Sequence, residues 1–326
     1  MINLSLRIAS GLAVTAGLLG CAPGPGPVPT SEVVEGPFLR VLGTVQDGGF
    51  PHAACNCTRC DAAREHPALR RRVSSLAVCL PGNSRVYLLD ATPDIRRQLD
   101  SLTDVRPWPE GRVNRAPVDG VFLTHAHVGH YLGLAFFGFE AIHTRDLPVY
   151  CTRRMGAFLG SHAPWDQLVR LGNIRVRDVL PTEPVDLGDG VTITALPVPH
   201  RDEYADTVGF LIRGPRSRVL YVPDTDAWGS WSPPLPEIME NVDIAILDGT
   251  FYSTDELPGR SVSSIGHPLI VDSMDLLEAE MGDGRPRTYF THLNHSNPAL
   301  ETDSPARREI EKRGFGILRE GEDFPL

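Results

Sequence analysis

Three histidines fall within six residues in His125-Ala126-His127-Val128-Gly129-His130. They follow the apolar run Val118-Asp119-Gly120-Val121-Phe122-Leu123, which reads as a buried strand. Neutral imidazole is the commonest protein ligand for zinc and its first-row neighbours. In extended chain, His125 and His127 project to the same side and grip one ion, while His130, a turn further on, faces a second. More donors stand where other predicted strands end. His200 follows Thr194–Pro199, Asp224 follows Val219–Pro223, Asp248 follows Ile244–Leu247, and His292 follows Arg287–Thr291. Any one of these alone reads as a cap or turn former. Together they read as a ligand set, with the chemistry of metal-assisted hydrolysis.

A second cluster, Cys55-Asn56-Cys57-Thr58-Arg59-Cys60, lies nearer the start. Three thiolates at this spacing wrap one tetrahedral ion and need a fourth donor. His295 supplies it, because it lies three residues after His292, so one ring faces the cleft and the other the cysteines. The competing reading is disulfide bonding, with Cys79 and Cys151 as further partners, in an exported chain. With Cys21 acylated, five cysteines remain, and an odd count leaves one unpaired. The spacing therefore favours a structural zinc on Cys55, Cys57, Cys60 and His295, with Cys79 and Cys151 as core residues. His52, His66, His143 and His162 read as surface or loop residues. His267, in Ser264-Ile265-Gly266-His267-Pro268, reads as a pocket acid or substrate contact, or else as a helix cap.

From about Phe38 to its end, the chain resembles the metallo-β-lactamase-fold superfamily. That family's motif is His-x-His-x-Asp-His, followed by a later His, a bridging Asp and a final His. The resemblance implies that His125, His127 and His200 hold a first metal, that His130 and His292 hold a second, and that Asp224 bridges. It also implies an αββα sandwich with the metals at one edge. Gly129 stands where the family has Asp. Three consequences are open: a weak or empty second site, a substitute ligand from elsewhere, or a preference for iron or manganese over zinc. The Cys-x-Cys-x-x-Cys insertion with a late His-x-x-His resembles two branches, the cyclic-phosphate phosphodiesterase of phosphonate metabolism and the B protein of pyrroloquinoline-quinone biosynthesis. The fuller resemblance is to the B protein, through Cys-Asn-Cys, the run Asp90 to Leu99, Asp248-Gly249-Thr250 and Asn294-His295-Ser296-Asn297-Pro298. The complete histidine set favours a hydrolase.

Strands and helices must position these residues. Strands are predicted at Phe38–Leu42, at Ser75–Leu80 with Arg85–Leu89 as a hairpin around Pro81-Gly82-Asn83, at 118–124, and at Pro148–Cys151. Later strands are predicted at Val191–Val198, Val208–Arg213, Arg218–Val222 and Val242–Leu247. Helices are predicted from Pro93 to about Leu102, at Tyr131–Ile142, near Arg153–Leu159, at His267–Met281 and at Pro305–Arg313. Asp47-Gly48-Gly49 reads as a turn. The weakly periodic interval 160–190 reads as an excursion or lid. Many strands followed by a helix, twice over, suit an α/β fold of two sheets sandwiched between helices.

The 326 residues suffice for a sizeable core, and 41% hydrophobic with 22% charged residues is ordinary for a globular domain. A formal net charge of -10 argues against a nucleic-acid-binding surface. At the start, Arg7 precedes the apolar stretch Ile8–Leu19, too short for a comfortable membrane span. Leu18-Leu19-Gly20-Cys21 resembles the bacterial lipoprotein signal, and Ala22–Pro29 is a Pro/Gly tether. The expected organisation is a signal peptide over 1–20, a tether over 21–35 and one domain over 36–326. The mature chain would be a periplasmic lipoprotein held to a membrane by acylated Cys21. Ala22 is not the Asp that retains some lipoproteins at the inner membrane, so the outer membrane is allowed.

The expected function is hydrolysis of an ester, lactone or phosphodiester by hydroxide generated at a first-site metal, a zinc with iron or manganese as alternatives. Asp224 would position metal and water, and His267 or Asp248 would serve the leaving group. No arrangement of a Ser or Cys nucleophile accompanies these residues, so no covalent intermediate is expected. The carboxylate missing at Gly129 leaves positive charge uncompensated, which favours a small anionic substrate. Two alternatives stand beside this reading. One is an iron- and oxygen-using enzyme of cofactor biosynthesis; the other is a non-catalytic metal-binding lipoprotein.

Overall fold

The computed structural model describes residues 36–256, 259 and 266–326. The expected signal peptide, Cys21 and the tether lie outside them. The first sheet contains β1 (Phe38–Gly43), β2 (Ser75–Leu80), β3 (Arg85–Leu89), β4 (Gly120–Phe122), β5 (Leu147–Cys151) and β6 (Ile174–Asp178). The second contains β7 (Pro184–Gly188), β8 (Val191–Pro197), β9 (Val208–Arg213), β10 (Arg218–Val222), β11 (Ile244–Asp248), β12 (Arg287–Thr291) and β13 (Gly316–Ile317). The last strand, β14 (Asp323–Pro325), returns to pair with β1, so each sheet has seven strands.

Alternation along the strands builds the layers. Leu39, Val41, Leu76, Val78 and Phe122 meet Phe210, Tyr221, Ile244 and Ile246 between the sheets. The opposite faces of the first sheet, through Phe38, Leu42, Ala77 and Leu88, pack on helices that carry Ile95, Met155 and Leu168. The outer face of the second sheet, through Leu220, Ala245 and Phe290, packs on Met274 and Leu277 of Ile270–Met281 and on Ile310 of Pro305–Lys312. This is the αββα sandwich.

Strand direction puts the chemistry at one edge. β3, β4 and β5 run parallel, as do β10, β11 and β12. Two antiparallel steps bring β1 parallel to β3 and β8 parallel to β10. The turns leaving β1, β3, β4, β8, β10 and β12 carry Asp47, Asp90, the three clustered histidines, His200, Asp224 and His292, and β11 ends in Asp248 at the same edge.

Two predicted elements need correction. Tyr131–Ile142 is not an α-helix: a single turn, Val128–Tyr131, passes into a 3-10 segment, Leu132–Phe137. Gly133 lies flat against the chain at Ala91-Thr92, its N–H donating to Ala91 O at 2.8 Å, and a Cβ there would sit 2.8 Å from the Ala91 carbonyl. That contact tightens the coil. The interval 160–190 is no lid. It supplies the helix Trp165–Arg170, then β6 and β7, the outermost strands of the two sheets and the crossover between them. Edge strands with mostly half-exposed or exposed side chains show little periodicity.

Candidate metal centre

His125 and His127 lie in the turn after β4, and His130 sits on the single helical turn that follows. His125 Nε2 is 2.8 Å from His127 Nδ1, which is 3.1 Å from His200 Nε2. Asp224 closes the group, with Oδ2 3.4 Å from His125 and Oδ1 3.3 Å from His200. Two nitrogens on one tetrahedral zinc stand about 3.3 Å apart, so the spacing suits a single ion. Across Asp224 lies a second group. His130 Nε2 and His292 Nε2 are 3.3 Å apart, and each is 3.8 Å from Asp224 Oδ2. Asp47 reaches this group from the turn after β1. Asp47 Oδ1 and Asp224 Oδ1 are buried yet accept no hydrogen bond among the described residues, an expensive state for a carboxylate without a cation.

The rings are oriented from behind. Asp90 Oδ2 accepts from His130 Nδ1 at 2.7 Å, and Asp226 Oδ1 accepts from His200 Nδ1 at 2.8 Å. Thr250 Oγ1 donates to Asp248 at 2.7 Å, so its lone pair accepts from His292 Nδ1 at 2.9 Å. Thr124 Oγ1, which donates to Asp90, accepts in the same way from His125 Nδ1 at 2.9 Å. These four rings therefore turn their Nε2 atoms to the cleft, the orientation that metal binding needs. His127 is reversed: Nε2 meets the exposed Glu203 at 3.3 Å and Nδ1 faces inward. Two of these positions adopt left-handed backbone, Asp90 at φ 68° and His292 at φ 61°. Each costs about 1–3 kcal/mol, a strain that gathers at functional sites.

Electrostatics agrees with the geometry. Burial, reinforced by the His130 charge, holds the His125 imidazole well below its usual range. Burial pushes the Asp224 carboxyl up, but His292 and His267 outweigh it and keep Asp224 ionised. Burial pulls His267 down, yet the Asp248 and Asp224 carboxylates bring it up to about 9. His267 Nδ1 is 2.9 Å from Asp248 Oδ2 and 3.3 Å from Asp224 Oδ1, with the ring partly exposed. Asp248 is different from the expectation: it is fully buried and accepts from Thr225 N, Thr250 N and Thr250 Oγ1 as well. A leaving group needs contact, and Asp248 offers none; it positions His267 and Thr250.

Cys55, Cys57 and Cys60 converge on His295. Their Sγ atoms lie 3.6, 3.8 and 3.7 Å from its Nδ1. A thiolate and a nitrogen on one tetrahedral zinc stand about 3.6 Å apart. The five described cysteines are free thiols, and Cys79 and Cys151 are buried in the core. His52 packs against His295, the ring centroids 4.4 Å apart and the planes tilted by 44°. Gln46 N donates to Leu293 O at 3.0 Å and Leu293 N to Thr44 O at 3.0 Å, tying the Asp47 turn to the segment that carries both His292 and His295.

Sequence reasoning missed Asp47, Asp90, Thr124, Glu203, Asp226 and Thr250. A usable signal existed for Asp90, Thr124 and Thr250: each is the first or second polar residue after an apolar strand run, at the edge where the histidines emerge.

Comparison with known proteins agrees with this geometry. The profile described as Beta-lactamase superfamily domain matches residues 85–293. Coenzyme PQQ synthesis protein B of Cupriavidus necator is 29% identical over 316 residues, covering 88% of this chain and 99% of that protein. The crystal structure of zinc-bound PqqB from Methylobacterium extorquens superposes with a TM-score of 0.75 at 25% identity, covering 89% of this chain and all of that one. A diphosphatase of the PhnP family shares the fold at 22% identity, TM-score 0.61, covering 88% of this chain and 96% of its own. By profile, architecture and metal-suited edge, the chain belongs to the metallo-β-lactamase-fold superfamily.

Proposed function

We propose that the chain is a metal-dependent hydrolase of a small ester, lactone or phosphodiester. The observation that carries this reading is the meeting of two donor groups at Asp224, beside His267, an imidazole placed next to both. Metal held by these donors supplies Lewis acidity toward a carbonyl or phosphoryl oxygen and activates water near neutral pH. Asp224 presents one oxygen to His200 and the other to His125, His130 and His292, which fixes the spacing of the two groups. Asp248 holds His267 by Nδ1, so the ring can pass a proton to a departing oxygen.

A second reading rests on the likeness to coenzyme PQQ synthesis protein B along nearly that protein's whole length: an enzyme of cofactor biosynthesis using iron and oxygen. Metal analysis of protein purified without oxygen separates the two. Zinc in the cleft, with chelator-sensitive turnover of 4-nitrophenyl esters or bis(4-nitrophenyl) phosphate, supports hydrolysis. Iron with oxygen consumption supports the second reading. One metal that survives His125→Ala but is lost in Cys57→Ala, without turnover, identifies a non-catalytic metal-binding protein and overturns both.

For location, the proposal is an exported lipoprotein anchored through Cys21, resting on Leu18-Leu19-Gly20-Cys21 and the tether. No helix among the described residues is long and apolar enough to cross a membrane. Palmitate labelling that disappears in Cys21→Ser tests it.

A further inference from the structure

We infer that Asp47 is the carboxylate ligand of the second metal, standing in from another strand for the acid that Gly129 lacks. The inference deepens the metal-centre reading on which the proposed function rests. Asp47 Oδ1 lies 3.5 Å from His130 Nε2 and 3.7 Å from His292 Nε2, and Asp224 Oδ2 is 3.8 Å from each ring. Asp47 Oδ1, His130 Nε2 and His292 Nε2 converge as one candidate cation group, and Asp224 Oδ2 faces both rings. Asp47 Oδ1 is buried and accepts no hydrogen bond from the described residues, so it has no other visible employment.

Gly129 is the other half of the argument. A Cβ added there would overlap the Asp47 carboxylate, 2.7 Å from its Cγ and 2.9 Å from its Cα. Asp47 thus fills the volume into which a side chain at position 129 would grow. The two positions exclude each other: an acid at 129 requires a vacant turn after β1, and an acid at 47 requires glycine at 129. The turn is built to hold its acid in place. Gly49 N donates to Gln46 O at 2.8 Å with Gly49 at φ 72°, and Gln46 N is fixed to Leu293 O, one residue beyond His292. Of the three consequences open for Gly129, this selects a substitute ligand. It also restores the negative charge whose loss had favoured an anionic substrate, so substrate charge must be set elsewhere in the cleft.

The experiment is zinc stoichiometry and affinity, measured by mass spectrometry of metals and by chelator competition on the full chain, stripped and then reloaded with zinc alone. The wild type is expected to take up three zinc ions per chain: two in the cleft and one at the cysteines. Asp47→Asn, nearly isosteric, is expected to weaken one of them by about 100-fold or more, beyond the usual effect of losing an outer partner, and to leave the other two. Asp47→Gly is expected to do the same. Wild-type uptake of two ions overturns the inference, as does full affinity in Asp47→Asn. Should the Asp47 variants not fold, Gly129→Ala keeps every donor and adds one methyl against Asp47; unchanged affinity there overturns the inference, and a weakened second site supports it. Because no step reads turnover, three ions with no hydrolysis would overturn the proposed function and leave this inference standing.

Discussion

Asp90 and His130 form a fully buried pair, Oδ2 to Nδ1 at 2.7 Å, and the same carboxylate accepts from the Thr124 N–H and hydroxyl. Asp90→Asn keeps the shape but presents an amide that cannot satisfy every donor around it. We expect affinity for the His130-side metal to fall about 10–100-fold, with the His125-side metal less affected, read by chelator competition. Equal loss at both would show that Asp90 acts on the whole edge.

His267 should matter in proportion to the leaving group's need for a proton. In His267→Ala, turnover of an alkyl ester or alkyl phosphodiester is expected to drop about 10²–10⁴-fold with metal content unchanged. A 4-nitrophenyl substrate, whose leaving group departs as the anion, should lose far less. A uniform loss across both substrates would assign His267 to positioning.

Removing one thiolate of the cysteine clamp should reach beyond the clamp. Cys57→Ala is expected to bind one zinc fewer and to lose more than about 4 kcal/mol, the class of effect that accompanies loss of a metal. Limited proteolysis should open 45–70 first, the stretch whose small core of Val45, Phe50, Cys60 and Ala63 is pinned there. Denaturant unfolding and the first cleavage site provide the check.

Thiol labelling should divide the cysteines by burial. Burial pushes the Cys151 thiol up to about 12 and Cys79 higher still. Raising the pH from 7 to 9 therefore leaves both protonated and unreactive in the native chain. Cys55 and Cys57, both half-buried, are expected to become labelled once zinc is chelated, while Cys60, fully buried with its thiol pushed up to about 12, stays protected with Cys79 and Cys151. In a chain beginning at residue 36, a count of two after chelation and five after denaturation is the expected result.

What was legible follows from how locally each feature is encoded. The histidine cluster announced itself because three rings in six residues after an apolar strand have few other uses, and the hairpin 75–89 because Pro81-Gly82-Asn83 sits between apolar runs. Asp47 was illegible for the opposite reason. Asp-Gly-Gly is a complete turn signal on its own, and its second meaning depends on the empty space at Gly129, on another strand's exit. Tyr131–Ile142 misled because an apolar run of that length reads as helix until Gly133 is seen against Ala91. β6 and β7 stayed hidden because edge strands, exposed along much of their length, carry little alternation.

His292 and His295 lie on one short arc, with Leu293 between them bonded to Thr44 and Gln46 on either side of Val45. The arc therefore couples the two sites. An ion in the cysteine clamp, held in part by His295, steadies the arc and with it His292 and the turn that bears Asp47; by the same linkage, an ion in the cleft steadies His295 and raises the clamp's affinity by the same factor.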